Sequence, residues 1–247
     1  MTADELVKVV CPTIGELGSA YYFTPETMQA GKDLGLDGFR FYFLGRGGVL
    51  GDVEAPVIAS AFGYFEPGLV ERIWNDARAV AAPRQGGRAH LEAARAFGRA
   101  NFEAVPGLDE LCAAAETVVG GADPAGLALF AGLSAEPLPD DAPGRAMQLV
   151  VTLRELRGSV HLLAVVASGL EPRVAHFMHR PDFFAAFGWG EDDIPEVTDE
   201  QRARQRQADE LTDRLMTSHF SALDAAARQA LADGVKGMSA ARTAIQA

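Results

Sequence analysis

Residues 145–168 restrict the fold more than any other stretch. Met147, Leu149, Val150, Leu153, Leu156, Val160 and Val165 are spread over nearly every side of one helix. A helix that is apolar all round belongs at the centre of a larger body or in a membrane. Its longest apolar part, around 158–170, contains His161 and falls short of the ~20 residues that a bilayer span takes. The stretch therefore predicts a buried central helix with the rest of the chain packed around it.

That remainder also reads as helical. Apolar residues recur at helical spacing and alternating β-branched runs are scarce. The spacing predicts helices over 3–22, 25–34, 37–46, 53–64, 67–81, 84–104, 107–119, 123–133, 145–168, 172–178, 181–187, 199–219 and 223–234. Pro25, Pro67, Pro124 and Pro172 sit where a first helical turn tolerates proline. Gly35, Gly120, Gly169 and Gly234 sit where helices end. The stretches 135–144 and 191–199, both broken by proline, read as linkers. The fold class is all-α.

The two ends of the chain look related. GSAYYF at 18–23 is similar to GSVHLL at 158–163, and FEPGLVERIWND at 65–76 to LDAAARQALAD at 223–233. Each half closes on a helix–turn–helix pair, 53–64 with 67–81 and 208–219 with 224–234. This suggests two pseudo-symmetric helix-turn-helix or winged-helix-like halves around the helix at 145–168. The divisions would be 1–83, a helical bridge and linker at 84–144, 145–238, and a frayed tail at 239–247. A helix that reads the major groove carries Arg, Lys, Asn or Gln on its open face. Here acids offset the bases: Glu71 and Asp76 beside Arg72 and Arg78, and Asp224 and Asp233 beside Arg228. Both closing helices read as packing elements that have lost a recognition role.

YYFTPE at 21–26, FYFLGRGGVLG at 41–51, FGYFEPGLV at 62–70, LRELRGSVH at 153–161 and FGW at 187–189 occur in order. As a set they resemble a family of actinobacterial proteins described as helix-turn-helix or MarR-like, over about residues 10–235. The resemblance implies an all-α duplicated fold and no particular chemistry. Arg154, Glu155, Arg157 and His161 match the family pattern, whereas Gly18, Leu156 and Ser159 stand where it tends to carry His, His and Asp. A ligand shared across the family is thereby in doubt.

The central helix also carries a polar stripe. At about 100° per residue, Arg154, Arg157, Gly158, His161 and Ser168 fall within an arc about 100° wide. Charges on a buried helix are paired or face water. Either acids neutralise both guanidiniums, or the stripe lines a cleft suited to a carboxylate or phosphate, which Arg holds in a bidentate fork. In the cleft reading Arg154, Arg157 and His161 bind the ligand. Tyr21 and Tyr22 form an opposite wall for a planar molecule, and Arg46 faces the same space. His161 is then the candidate acid or base, since imidazole titrates near neutrality.

His176 and His179, spaced i, i+3, form a weak candidate metal pair without a third ligand. They read more readily as partly exposed residues, and His90 and His219 as surface or interface positions. No phosphate loop, GxSxG nucleophile or distinctive carboxylate pair is present, so no cofactor is nominated.

Charge narrows the partners. Acidic residues number 34 against 22 Lys and Arg, a formal charge of −12. Such a balance disfavours polyanions and anionic membranes without excluding a local basic face. Cys11 and Cys112 are isolated, read as small buried hydrophobes, and suit a reducing cytoplasm; no signal peptide is evident at the N-terminus. The expected protein binds a small anionic or planar molecule, whether as receptor or as enzyme. A ligand-responsive regulator and a helical scaffold are the alternatives, and a homodimer remains open.

Overall fold

A computed structural model describes residues 1–246, and these contain α-helices, short 3-10 turns and no strand. The helices are α1 (Ala3–Leu17), α2 (Pro25–Asp33), α3 (Gly38–Gly47), α4 (Ala55–Phe62), α5 (Pro67–Arg78) and α6 (Pro83–Phe102). They continue as α7 (Leu108–Gly121), α8 (Ala128–Ser134), α9 (Ala142–Ala167), α10 (Pro172–His179), α11 (Asp199–Phe220) and α12 (Ala225–Gln246). The fold is all-α, as the periodicity predicts.

α9 is the expected central helix. It packs on α1, α6, α7, α8, α10 and α11. Met147, Leu149, Val150, Leu153, Leu156 and Val165 are all nearly or fully excluded from water. Burying a Leu or Val side chain contributes roughly 1.5–3 kcal/mol, so this one helix anchors much of the core. The core is continuous from Leu6 to Met238, because α1 lies against both α11 and α12. A smaller cluster joins Ala164 and Val165 of α9 to Val174 and Ala175 of α10 and Ala208 of α11.

Local chemistry sets the helix ends. Thr2 and Glu5 close a capping box on α1, and Thr198 and Gln201 do the same for α11. Asp141 accepts from the Gly144 N–H and starts α9 inside the expected linker at 135–144. Arg95 and Gln148 both donate to the Pro137 carbonyl and hold that linker down.

Several expected boundaries are corrected. α1 stops at Leu17, not 22, and residues 18–24 form successive tight turns closed by Ala20, Tyr22 and Thr24 N–H groups. The helix expected from 123 begins at Ala128, because Leu127 closes a turn on the Pro124 carbonyl. Residues 181–187 are two 3-10 turns, Pro181–Phe183 and Ala185–Phe187, because Pro181 has no N–H with which to prolong α10. α12 runs on through Gln246, so the expected fraying from 239 gives way to helix; Ala247 lies outside the described residues. No helix among the described residues is long and apolar enough to cross a membrane.

Candidate functional site

The polar stripe of α9 divides into two environments. The first is an ion cluster centred on Glu155, which is 3% exposed. Arg46 of α3 grips it bidentately, Nε to Oε1 at 2.9 Å and Nη2 to Oε2 at 3.0 Å. Arg154 donates to Oε1 at 2.6 Å and places its guanidinium over the Tyr22 ring, 5.2 Å from the centroid. Arg46 also donates to the Tyr42 hydroxyl and covers the Phe62 ring. Burial opposes ionisation of Glu155, but the two guanidiniums prevail and bring its pKa down to about 2.

Beneath this triad lies His90. Its Nδ1 is 3.0 Å from the Tyr21 hydroxyl, and its ring stacks near Tyr22. His90 is buried, which corrects the expected surface position: the small residues Gly86, Gly87, Ala94 and Gly98 share its side of α6 and let that helix pack deeply. Burial and the nearby Arg46 charge lower its pKa to about 3, so it is neutral. Tyr21 and Tyr22 are core residues and do not form a cleft wall. The outer side of the triad borders a larger cavity through Tyr42, Arg46, Arg154 and Glu155, and beneath it opens a void of about 20 Å³ lined by Tyr22, Arg46, His90 and Glu155 among others. That is room for one water.

The second environment is open. Two residues beyond Glu155 on α9, Arg157 has no carboxylate within 4 Å among the described residues. It faces a cleft of about 640 Å³, within the range of small-molecule sites. α9 supplies Arg154, Arg157, Gly158 and His161; α10 supplies His176 and His179; α11 supplies Gln205 and Asp209. Tyr64 enters from the α4–α5 turn, and Phe183 and Phe187 from the two 3-10 turns. A second lobe of about 630 Å³ shares Tyr64, Arg154, Arg157, Gly158 and Phe187 and extends past Arg46 to Ser19 and Glu16.

The polar atoms of the first lobe are unusually free. The Tyr64 hydroxyl, Arg157 Nε, His176 Nε2 and Gln205 Oε1 are all buried from solvent without a hydrogen-bond partner. Buried polar atoms are normally paired, and leaving one unpaired costs about 1–3 kcal/mol. An obligate donor on Arg157, an obligate acceptor on Gln205, and a hydroxyl and an imidazole nitrogen that can each do either thus belong to the walls of one cavity. His161 Nδ1 lies 3.0 Å from Thr212 Oγ1, and burial followed by the Arg157 charge lowers its pKa.

The structure brings Arg154, Arg157 and His161 together, places Arg46 at the edge of the second lobe, and sets Tyr21 and Tyr22 apart. His176 is buried, contrary to the expected partial exposure, and its ring stacks on Phe187 at 3.9 Å. His179 is exposed. Among the described residues no group of three His, Cys, Asp or Glu is placed to hold a metal ion. Both cysteines are buried, and burial pushes Cys11 up to about 11 and Cys112 to about 12, far from thiolate chemistry at neutrality. Tyr64, Glu155, Gln205 and Thr212 escape the sequence reading. Glu155 alone carries a signal there, as the single carboxylate among the apolar positions of the central helix.

The first helix–turn–helix pair, α4 and α5, abuts this cleft. Gly63 ends α4 with φ +73°, and a Cβ there would meet Leu162 of α9 at 2.5 Å. Across the turn, the Glu66 N–H donates to the Phe187 carbonyl at 2.9 Å, and Trp189 Nε1 donates to the Tyr64 carbonyl at 2.9 Å. Phe187 is sandwiched, with Phe65 stacked at 4.0 Å on one face and His176 on the other. Residues 187–189 therefore pack on Glu66 and Leu69, while Pro67 and Gly68 at the start of α5 stay exposed. Its exposed face shows Glu71, Arg72 and Asp76, while Arg78 is tied to Glu54. In the second pair, α12 buries Leu231, Val235 and Met238 against its neighbours, and Arg228 donates to the Met1 carbonyl.

The sequence model of a helix-turn-helix family matches residues 10–247. No curated protein and no solved structure matches the chain.

Proposed function

From the premise that the chain belongs to this helix-turn-helix family, we propose that it binds a small anionic, partly planar molecule in the cleft between α9, α10, α11 and the α4–α5 turn. One observation carries the reading: four residues lining one cavity, Tyr64, Arg157, His176 and Gln205, each hold a buried polar atom without a partner. A ligand that satisfies them recovers hydrogen bonds that the empty protein forgoes. Arg157 holds the anionic group. Tyr64, Phe183 and Phe187 supply apolar faces for a flat portion, and His161 is the proton-transfer group if the ligand reacts. The two buried free thiols suit a reducing compartment.

The test is mass spectrometry of the intact purified protein under non-denaturing conditions, followed by thermal scans with aromatic carboxylates and phosphate monoesters. A bound species present in the wild type and lost in Arg157→Gln is expected. A ligand at a hundredfold excess over its Kd raises the melting temperature by about 5–10 °C. No bound species, and no shift that Arg157→Gln removes, sinks the reading.

Family membership favours a second reading, a DNA-binding regulator. The lack of a basic face on α5, where Glu71 and Asp76 offset Arg72 and Arg78, opposes it. A gel shift on the DNA upstream of its own gene, retained at low salt and lost as salt is raised, is the result that supports it.

A further inference from the structure

Thr212 of α11 lies against His161 and directs its chemistry. The Thr212 hydroxyl is 2.7 Å from the Ala208 carbonyl and 3.0 Å from His161 Nδ1. A carbonyl only accepts, and two oxygens at 2.7 Å repel unless a proton lies between them, so the Thr212 proton goes to Ala208. What remains for His161 is a lone pair on Thr212 Oγ1, which requires a proton on Nδ1. In a neutral imidazole the other nitrogen then carries a lone pair. His161 Nε2 has no partner among the described residues, is not sealed from solvent, and belongs to a ring that lines the cleft.

We infer that Thr212 fixes His161 in its Nδ1–H form and leaves the Nε2 lone pair as the proton acceptor of the cleft, so that a molecule held on Arg157 carries an O–H or N–H beside its anionic group. The second half rests on the binding reading above; the first stands without it. The charged groups facing His161 are Arg157 on its own helix, His179 on α10, and Asp209 and Asp213 on α11. Burial and Arg157 outweigh the two acids and keep the ring neutral, the state in which an acceptor nitrogen exists. His176, 7% exposed with its Nε2 unpartnered, stands across the same cavity from the Tyr64 ring and marks the space as built for a guest. Thr212 does not line the cleft; it is a positioning residue.

The experiment is a long-range proton–nitrogen correlation on the uniformly nitrogen-15-labelled full chain at neutral pH, with the His161 signals assigned by His161→Gln. A protonated Nδ1 and a pyridine-type Nε2 are expected. Thr212→Ser keeps that pattern and Thr212→Val, which removes the acceptor, shifts it toward a mixture. A wild-type ring protonated on Nε2 overturns the inference even if neither variant folds. A pattern that Thr212→Val leaves unmoved also overturns it. Inorganic phosphate, which keeps an O–H at neutral pH, and sulfate, which does not, are then titrated. Phosphate is expected to move His161 Nε2 and to bind about tenfold more tightly than sulfate, the value of one good hydrogen bond. Equal responses overturn the donor requirement. No response to either anion removes the ligand half together with the anion reading, while the tautomer result is judged on its own.

Discussion

Around Glu155 and around Arg157, two residues apart on α9, polar side chains have left water in two different ways. Near Glu155, two guanidiniums, a carboxylate and a phenol satisfy one another between a void of about 20 Å³ and the edge of the second lobe, and only the Tyr22 hydroxyl and His90 Nε2 beside them are buried without a partner among the described residues. Near Arg157, four polar atoms are withdrawn from solvent and given nothing, beside a cavity of about 640 Å³. One helix therefore supplies both a stabilising ion cluster and an unsatisfied site. The comparison teaches that cationic residues on a buried helix do not share a role because they share a face. What decides is whether a carboxylate lies within reach, as Glu155 of the same helix does for Arg154 and for Arg46 of α3.

The contrast can be broken by mutation. Arg46→Met leaves Glu155 buried with one partner and is expected to cost about 3–5 kcal/mol in urea unfolding. Arg157→Met, at the open site, is expected to change stability by less than about 1 kcal/mol. Equal losses would show that both arginines are structural. Gly63→Ala should cost about 1–3 kcal/mol, since the backbone is left-handed there and Leu162 fills the space. A negligible loss would mean that α4 and α9 are not held as closely as described.

Acid sharpens the difference further. His90 falls from an ordinary 6.5 to about 3 on folding, and Glu155 from 4.5 to about 2. Both are depressed, so both contributions are complete above the ordinary value and vanish as pH falls through the folded one. Stability is expected to decline from about pH 6.5 downward through His90, with Glu155 adding to the slope below 4.5. A urea midpoint measured across that range checks it, and His90→Gln should flatten the upper part. The smallest effect expected is at α5: Arg72→Ala should leave any DNA retention unchanged, and a loss would restore that helix as a reading element.

Much of the architecture was legible. The all-round apolar pattern at 145–168 locates the central helix to within a few residues of Ala142–Ala167, because burial on every side leaves no other arrangement. Proline and capping residues place most helix starts. Legibility stops where tertiary contact overrides local pattern. Residues 239–246 look like a fraying tail, yet the helix persists where Val235 and Met238 pack just before them. His90 looks like a surface residue, and the glycine and alanine spacing on its side of α6 is the signal that would have placed it inside. Arg157 and His161 were recognisable from the stripe alone. Tyr64 and Gln205 were not, since they reach the cleft from elements whose approach to α9 no local spacing encodes.

Phe187 gives one ring face to each of two tenants, His176 of the cleft and Phe65 of the helix–turn–helix corner, and its carbonyl is pinned to Glu66. It works like a rivet through two plates. A molecule bound as proposed that tilted His176 would pull on the rivet, and the first turn of α5 would feel it directly. The wall of the cleft and the corner between α4 and α5 thus share one ring, so neither can be redesigned without moving the other.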